Sequence, residues 1–458
     1  MASKRERGLY ELYADDPERA DALVFGRRTA ASRRGFLKGA GLAGVGAAVG
    51  GSIPFAADIP AGFVPAAMAQ PVQQAQAGPA GGAGASTGPK ILKMDGKGEL
   101  VVLGDKPLVA ETPAHLMDDE VTPTEKFFIR NNGLTPDPAS MPSDPKAWKI
   151  KIDGEVNNPT EIALGDLMSR FPNVTHKLML ECGGNGRSFF VPEARGNQWT
   201  NGGAGCAEWT GVRLADVLKA AGLKSSAVYT GHYGADPHLS GDATKPSISR
   251  GVRLEKAMEA HTLIAFKMNG KDIPLVHGAP ARLVVPGWAG STSAKWLNRI
   301  WVRDKEHDGP GMGGFSYRMT KKPIVPGSKG DEKDTVILEA MPVRSVVTFP
   351  AHGARLAAGT RKIDLRGHAW AGDATVQSVE VSIDYGVTWK KAEVKAPANA
   401  FAWQRFTAAV DLPSAGYYEI WSKATDAKGV TQPFQAGNWN PQGYGGNPVS
   451  RVAVLVEG

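Results

Sequence analysis

The spacing of apolar residues changes along this chain of 458 residues, and the change limits the folds that it can adopt. Before "KKPIVPGSKGDEKD" (residues 321–334), helical and strand-like patterns are mixed. After it, "VQSVEVSID", "GYYEIWSKATD" and "SRVAVLVEG" predict short strands separated by turns, which is typical of a β-sandwich of about 120 residues. Because residues 321–334 are rich in proline, glycine and charge, we expect them to connect two domains.

The region before this connection contains both helical and strand signals. In "GVRLADVLKAAGL", Gly222 is a C-terminal stop signal that follows apolar residues at helical spacing. These apolar residues are Leu214, Val217, Leu218 and Ala221. "ARLVVP" (residues 281–286) predicts a buried strand. The chain is therefore predicted to be an α+β protein, with a mixed α/β region followed by a β-sandwich.

The N-terminus has the pattern of a twin-arginine export signal. "SRRGFLK" (residues 32–38) places adjacent arginines before a weakly apolar run rich in glycine and alanine, and "AMAQ" predicts cleavage after Ala69. Glycine and proline interrupt the run, so the alternative of a membrane anchor is disfavoured. We predict a signal over residues 1–69 and a flexible linker over residues 70–90. We also expect the protein to be exported to the periplasm in the folded state, with no membrane anchor after cleavage of the signal.

Charge and missing motifs exclude several functional classes. The formal net charge of the chain is +7, and residues 1–69 carry 9 basic and 7 acidic residues. Removal of these residues would leave a net charge of +5. Such a mild positive excess favours small anionic substrates or acidic partners. The absence of a basic run with interleaved aromatics argues against nucleic acid. There is also no H-E-x-x-H, P-loop, G-x-S-x-G or C-x-x-C-H motif, so we expect no haem in this chain.

The chain has two cysteines, Cys182 and Cys206, which are 24 residues apart. An even cysteine count in an exported protein permits a disulfide. However, Cys182 lies in "LMLECGGNGRSFF", where glycines flank it and Arg187 follows, so a metal ligand or a nucleophile is equally open. A non-enzymatic exported binding protein with a structural disulfide is accordingly one alternative function.

Further motifs concentrate cationic residues in apolar or glycine-rich contexts. "KFFIRNN" holds Arg130, "EWTGVRL" holds Arg213, and "VHGAPARLVVPGWAGSTSAKWLNRI" holds His277, Arg282 and Lys295. In this order, with "ECGGNGR" and "MPVRSVVT", the motifs resemble those of the sulfite oxidase family of molybdenum enzymes. The resemblance runs from about Thr122 to the C-terminus.

The resemblance implies a fold and a cofactor. The implied fold is α+β: a molybdopterin-binding catalytic domain over residues 91–325, then an immunoglobulin-like β-sandwich over residues 335–458 that mediates dimerisation, hence a homodimer. Molybdenum–molybdopterin would be bound through the single thiolate of Cys182, a soft ligand. Glycines beside it would let the backbone approach the cofactor. Under this interpretation there is no disulfide, and Cys206 is a buried bystander.

The resemblance also implies site residues by position. Those implied to bind the cofactor are Phe128, Asn131, Cys182, Arg213, Asp236, His277, Arg282, Ser293 and Lys295. Arg130 and Arg187 would hold the substrate anion, and the aromatic residues Trp199 and Tyr317 would line its pocket. Structural alternatives are ion pairs for the cofactor-binding cations, a core position for His277, and core positions for both aromatic residues.

The implied reaction is the oxidation of sulfite to sulfate, with electrons passed singly to an external c-type cytochrome. Two positions depart from the family pattern: Asn132 replaces a histidine and Gln442 replaces an arginine. A less charged pocket leaves the substrate open to another small sulfur compound, so sulfane dehydrogenation or sulfoxide reduction is the alternative activity.

Overall fold

The computed structural model describes residues 89–242 and 244–458. The predicted export signal over residues 1–69, and nearly all of the predicted linker over residues 70–90, lie outside the described residues. Within the described part of the chain, no helix is long and apolar enough to cross a membrane.

The first part of the fold consists mainly of short strands arranged in several sheets. In chain order the strands are β1 (Val101–Asp105), β2 (Leu108–Glu111), β3 (Ile129–Arg130), β4 (Lys149–Gly154), β5 (Thr160–Ala163), β6 (Asn173–Glu181), β7 (Ala204–Arg213), β8 (Tyr229–Gly234), β9 (Ser249–Arg253), β10 (Leu263–Met268), β11 (Lys271–Asp272), β12 (Arg282–Val284), β13 (Leu297–Arg303), β14 (Arg318–Thr320) and β15 (Thr335–Ile337). Three sheets have the orders β1–β2–β3, β11–β10–β7–β6 with β12 also on β10, and β5–β4–β13–β8–β9. Strands β4 and β13 are parallel, while their other neighbours are antiparallel.

Helices are short and cover the sheets. They are α1 (Leu164–Arg170), α2 (Leu214–Ala221) and α3 (Leu254–Ala257). Helix α2 is the helix predicted from the apolar periodicity, and it ends where Gly222 adopts a positive φ of 72°. Its buried face joins one core with strands β4, β10, β12 and β13. The mixed α+β prediction is thus confirmed, with more strand than helix.

The C-terminal part forms two sheets around one core. Its strands are β16 (Arg344–Phe349), β17 (Ala354–Leu356), β18 (Lys362–Trp370), β19 (Val376–Ser382), β20 (Lys390–Lys391), β21 (Glu393–Val394), β22 (Gln404–Asp411), β23 (Gly416–Asp426) and β24 (Ser450–Val456). The sheet orders are β16–β18–β22–β21 and β17–β24–β23–β19–β20. Leu365 and Phe406 from one sheet share a core cluster with Val379, Ile420 and Val454 from the other. The predicted β-sandwich is confirmed; its immunoglobulin-like character and the domain boundaries stay predictions.

The predicted connection over residues 321–334 is the loop of a hairpin. Strands β14 and β15 pair antiparallel on either side of it, with Arg318 opposite Ile337. The backbone N–H of Lys321 donates to the carbonyl of Asp334 at 2.8 Å and closes the loop. Proline and glycine signals correctly predicted a loop, but they do not show that the strands on either side of it pair.

Candidate active site

Cys182 lies directly after strand β6, which ends at Glu181. Pairing with β7 places Glu181 opposite Ala204, and the N–H of Cys182 then donates to the carbonyl of Gly203 at 2.7 Å. The chain turns at once, because the N–H of Asn185 donates back to the carbonyl of Cys182 at 2.9 Å. A strand that ends in a turn at Cys182 is therefore confirmed.

The β-sandwich holds this turn through a buried ion pair. Arg344, at the start of β16, is fully buried and donates from Nε to Glu181 Oε1 at 2.9 Å. Glu181 Oε2 accepts from Trp370 Nε1 at 2.7 Å, and Glu181 Oε1 also accepts from the Asn185 amide at 2.9 Å. Because such a pair is costly to break, the sandwich fixes the residue before Cys182 and the turn after it.

The glycines of this turn admit protein groups. A Cβ at Gly184 would clash with the guanidinium of Arg187, and a Cβ at Gly183 would lie 3.0 Å from Leu338 Cδ2 and 3.5 Å from Tyr317 Cδ1. Gly183 also lines the cavity, so clearance for a cofactor at this glycine stays a prediction, while the space beside Gly184 is taken by Arg187.

A cavity of ≈ 780 Å³, counted with its open mouth, lies beside the turn. The structure brings most of the sequence-predicted residues to its wall. These are Phe128, Arg130, Asn131, Cys182, Asp236, His277, Arg282, Ser293, Lys295 and Tyr317.

One part of the cavity, here called the cationic end, is formed by His277, Arg282 and Lys295 of its wall together with Lys97, which contacts His277. Lys295 Nζ donates to Asn131 Oδ1 at 2.6 Å. Arg282 donates from Nη1 to the carbonyl of His277 at 2.9 Å and from Nη2 to the carbonyl of Ser293 at 3.2 Å. These hydrogen-bond acceptors are neutral, and the carboxylate charges that act on these cations, Asp236 on Lys295 and Glu125 on Lys97, do not offset the effect of burial.

Lys97 joins the cationic end from the N-terminal side. Its Nζ donates to the carbonyls of Thr124 at 2.6 Å and Phe127 at 2.7 Å and lies 3.0 Å from His277 Nε2. Sequence reasoning missed Lys97 because it precedes Thr122, where the resemblance begins. A single lysine in "MDGKG" carries no motif that could have found it.

The pKa values at the cationic end show the effect of uncompensated charge. Burial lowers the pKa of Lys97 to about 7 and that of Arg282 to about 9. Burial, with the nearby charge of Arg282, holds the pKa of Lys295 well below its ordinary value. The pKa of His277 is lowered by burial and by Lys97 and Lys295. An anion bound here would reverse these shifts, since opposite charge favours the protonated form.

The other part, here called the tyrosine end, comprises Arg130, Arg250, Tyr317 and Tyr444. Tyr317 donates from its hydroxyl to Asn132 Oδ1 at 3.1 Å and stacks on Tyr444 with ring centroids 5.1 Å apart. Burial opposes the charge of Arg130, but Tyr317, Cys182 and Tyr444 outweigh it and raise the pKa of Arg130. Arg130 therefore stays charged beside Cys182.

Two cavity residues and one neighbour were missed by sequence reasoning. His232 and Arg250 line the wall, each only 1% exposed, and Tyr444 reaches Tyr317 from the C-terminal loop. Burial, with the charge of His307, lowers the pKa of His232 to about 3, so this histidine is neutral. No local motif marks any of the three; the tertiary fold alone brings them to the site.

Arg187 was predicted to contact the substrate, but the structure places it outside the cavity wall. Its Nε donates to the carbonyl of Gln442 at 2.7 Å and its Nη1 donates to the carbonyl of Asn197 at 2.8 Å. The guanidinium lies 5.5 Å from the ring centroid of Tyr444. Arg187 thus reaches the tyrosine end only through Tyr444, because two carbonyls hold its guanidinium in place.

Trp199 and Arg213 also lie away from the cavity wall. Trp199 is fully buried in the core cluster that contains Cys182, and its ring lies edge-on to Phe128 with centroids 5.9 Å apart. This position agrees with the alternative that Trp199 is a core aromatic residue. Arg213 ends β7 with its side chain 40% exposed and pairs with Asp216 at 4.0 Å. The cofactor-binding prediction for Arg213 is corrected, because its position at the strand end turns it towards solvent.

Both cysteines are free within the described residues, so the disulfide alternative is wrong. Cys206 is fully buried in β7 opposite Met179, and burial raises the pKa of its thiol to about 12. A thiol with such a pKa stays protonated and unreactive at neutral pH. Cys206 therefore has the buried structural position that was expected of it.

The donor set fits a metal that is bound jointly by the protein and an anionic cofactor. In the described ranges, no group of three or more His, Cys, Asp or Glu side chains could hold a metal ion. The wall offers one soft ligand, Cys182, which suits a metal whose remaining ligands come from elsewhere. The cationic end offers unpaired positive charge that suits a phosphate.

Comparisons with known proteins agree with this geometry. Residues 138–310 match the family described as oxidoreductase molybdopterin binding domain. Residues 335–457 match the Mo-co oxidoreductase dimerisation domain.

Relatives cover most of the chain. The sulfite oxidase of Gallus gallus is 34% identical over 356 residues, which cover 75% of each chain. The mitochondrial sulfite oxidase of Mus musculus is 33% identical, covering 78% of this chain and 66% of its own length. The crystal structure of the sulfane dehydrogenase SoxCD from Paracoccus pantotrophus aligns with a TM-score of 0.63 at 27% identity, covering 76% of this chain and 84% of that chain. This chain therefore belongs to the sulfite oxidase family and is a molybdenum oxidoreductase.

Proposed function

We propose that this enzyme oxidises sulfite to sulfate with a molybdenum–molybdopterin cofactor bound through Cys182. One observation carries the proposal: a single cavity wall holds the Cys182 thiol, the unpaired cations of the cationic end, and Arg130 beside Tyr317. When bound, the molybdenum would supply the two-electron redox chemistry that no side chain of the wall can supply.

The cationic end is the part that would retain the cofactor. Lys295 and Arg282 donate to neutral acceptors, and burial lowers the pKa of both. A phosphate would provide the missing negative charge, and the guanidinium of Arg282 can meet it with charge-assisted hydrogen bonds. Asn131 and Ser293 orient these two cations through their oxygen atoms.

The tyrosine end would bind the substrate anion. Arg130 stays charged there, so it can hold a small oxyanion against the Cys182 side of the cavity. The hydroxyl of Tyr317, which donates to Asn132 at 3.1 Å, can instead donate to an oxygen atom of that anion. The core aromatic Phe128 contributes to an apolar wall that excludes water around these charges.

The electron acceptor, compartment and assembly are part of the same proposal. Electrons would pass singly to an external c-type cytochrome, since the sequence contains no haem attachment motif. The twin-arginine pattern supports a periplasmic location. The match to a dimerisation domain over residues 335–457 supports a homodimer formed through the β-sandwich.

A second candidate keeps the cofactor and changes the sulfur compound to a sulfane. It is favoured by the alignment with a sulfane dehydrogenase and by the neutral side chains Asn132 and Gln442. Of these, Asn132 lines the cavity and contacts Tyr317, so it touches the tyrosine end directly.

The test is steady-state turnover by the molybdenum-loaded enzyme. Sulfite should drive reduction of both ferricyanide and cytochrome c, with sulfate formed in step, whereas a sulfane compound at equal concentration should not. Molybdenum content should approach one atom per chain. If the enzyme turns over the sulfane and not sulfite, the second candidate is correct. If a fully molybdenum-loaded enzyme turns over neither compound, both candidates are refuted.

A further inference from the structure

We propose that Arg250 is an oxyanion-binding residue of this cavity, contacting the oxygen atoms of the small sulfur oxyanion that the enzyme turns over. The inference deepens the proposed function and rests on it for the identity of the anion. Arg250 belongs to β9, outside every motif that the family resemblance assigns to the site.

The guanidinium of Arg250 is buried in the wall without a negative partner. The residue is 1% exposed and lines the cavity. It donates from Nη1 to the carbonyl of Gly311 at 2.8 Å and from Nη2 to the carbonyl of Leu338 at 3.3 Å. Its Nε has no hydrogen-bond partner, and no carboxylate in the described part of the chain forms an ion pair with it.

This arrangement is unfavourable for a purely structural residue. An arginine has five N–H donors, and a structural role would satisfy them with protein acceptors. A buried cation that retains an unpaired N–H is costly unless a ligand completes its partners. Arg250 lines the cavity wall, so its guanidinium borders the space where an anion would bind, although the Nε atom itself is enclosed.

The position of Arg250 assigns it to the tyrosine end. Its guanidinium carbon lies 4.7 Å from the ring centroid of Tyr317, whose hydroxyl points to Asn132. The contacts of Arg250 do not include the residues of the cationic end. It therefore adds positive charge where the substrate is proposed to bind, together with Arg130.

Arg250 also resolves the departure at position 442. The family resemblance leads us to expect an arginine there, but the side chain is the neutral Gln442, and its backbone carbonyl accepts from Arg187. Gln442 does not line the cavity, whereas Arg250 does, so Arg250 supplies a positive charge at the tyrosine end that sequence position does not reveal.

The experiment compares three variants of the holoenzyme. Arg250→Gln removes the charge, Arg250→Lys keeps the charge but removes the planar fork, and Arg253→Gln is the matched control. Arg253 lies on the same strand with its side chain 62% exposed and paired to Glu339. Calorimetric titration with sodium sulfate at constant ionic strength measures oxyanion binding without turnover, and molybdenum content reports cofactor retention.

We expect Arg250→Gln to raise the Kd for sulfate about 30-fold, the loss of a charge-assisted contact, and to raise the KM for sulfite in parallel. Arg250→Lys should raise the Kd about 5-fold because an ammonium cannot reproduce the fork. Arg253→Gln should leave the Kd unchanged, and all three variants should keep their molybdenum.

An unchanged sulfate Kd in Arg250→Gln with intact molybdenum would overturn the inference. If Arg250→Gln does not fold, the lysine variant decides, and an unchanged Kd in Arg250→Lys counts as disproof. Wild-type enzyme that binds no sulfate also overturns it. Wild-type enzyme that binds sulfate but does not oxidise sulfite refutes the proposed function, while the binding measurements on the variants still test Arg250.

Discussion

The two ends of the cavity bury cations in the same enclosed space, but Arg130 at the tyrosine end differs from the others: its pKa is raised, whereas burial lowers the pKa of Arg250 as well as the pKa values at the cationic end. Burial lowers the pKa of Lys295 and Arg282 at the cationic end. At the tyrosine end the pKa of Arg130 is raised despite burial, because Tyr317 and Cys182 lie close to it. The difference comes from the partners and not from the depth of burial.

This difference suits two ligands with different lifetimes. Cations with only neutral partners gain most from a permanent anion, so the cationic end is matched to a retained cofactor. A substrate anion has to leave after each turnover, and very strong binding of the ground state does not accelerate the reaction. At the tyrosine end the groups around Arg130 already favour its charged form, so an anion held by Arg130 gains less and can be released.

Cys182 is the proposed metal ligand, so its replacement should have the largest effect. Cys182→Ser should lower sulfite turnover by more than about 100-fold, because loss of even an outer-sphere partner of a metal costs 10- to 100-fold. Thermal unfolding should remain cooperative, since the turn is held by backbone bonds to Gly203 and Asn185. Steady-state assay with molybdenum analysis checks this prediction.

Cys206→Ser is the matched control, since Cys206 is the same residue type on the paired strand but lies away from the cavity. It should keep turnover within about 2-fold, with only a small loss of stability for a polar group in a core position. Wild-type activity in Cys182→Ser would rule out Cys182 as the metal ligand.

Arg130→Gln should separate the tyrosine end from the cationic end. We expect the KM for sulfite to rise about 30-fold through loss of a charged contact to the anion, with molybdenum content unchanged. Steady-state kinetics and metal analysis on the same preparation measure both. Loss of molybdenum with an unaltered KM would assign Arg130 to cofactor retention instead.

Lys295→Met should give the converse result with a smaller kinetic effect. Removal of one unpaired cation should lower molybdenum occupancy about 10-fold, as loss of a supporting partner does at metal sites. The enzyme molecules that retain the metal should show the KM of wild type. A normal occupancy with a raised KM would contradict the division of the cavity into two ends.

Sequence patterns predicted the parts of the fold that depend on local periodicity. Helix α2 and strands such as β19 follow from apolar spacing, and Gly222 marks the helix end as expected. The hairpin β14–β15 was not predicted, because turn signals locate a loop without specifying which strands pair across it. Pairing is a tertiary property, so the sequence located the loop over residues 321–334 but not the hairpin; its role as a connection between domains stays a prediction.

The candidate site was predictable where a motif lies at the end of an element. Cys182 follows β6, and the block from His277 to Lys295 supplies most of the cationic end. Alternation along β7 could not have excluded Arg213, because Trp209 on the same face is fully buried; only its position at the end of the strand leaves it 40% exposed. Lys97 and Arg250 are isolated cations, and only the folded chain brings them to the cavity.

The smallest predicted effect is a pH dependence of stability that originates at the cationic end. In the folded ligand-free protein, burial lowers the pKa of Lys97 from its ordinary value of 10.5 to about 7. Between these values the unfolded chain binds a proton that the folded chain does not, so the free energy of unfolding rises with pH. From pH 7 to 8.5, the slope from this one lysine should stay below about 1.4 kcal/mol per pH unit.

Urea unfolding of the ligand-free protein at a series of pH values measures this slope, and Lys97→Met should flatten it. Added phosphate should flatten it too, because a bound anion favours the charged lysine and restores its pKa. Arg130→Gln should not, since the pKa of Arg130 is raised and the group stays charged throughout this range. The opposite result would be a pH slope of the unfolding free energy that persists in Lys97→Met but vanishes in Arg130→Gln. That result would place the uncompensated charge at the tyrosine end and reverse the assignment of the two ends.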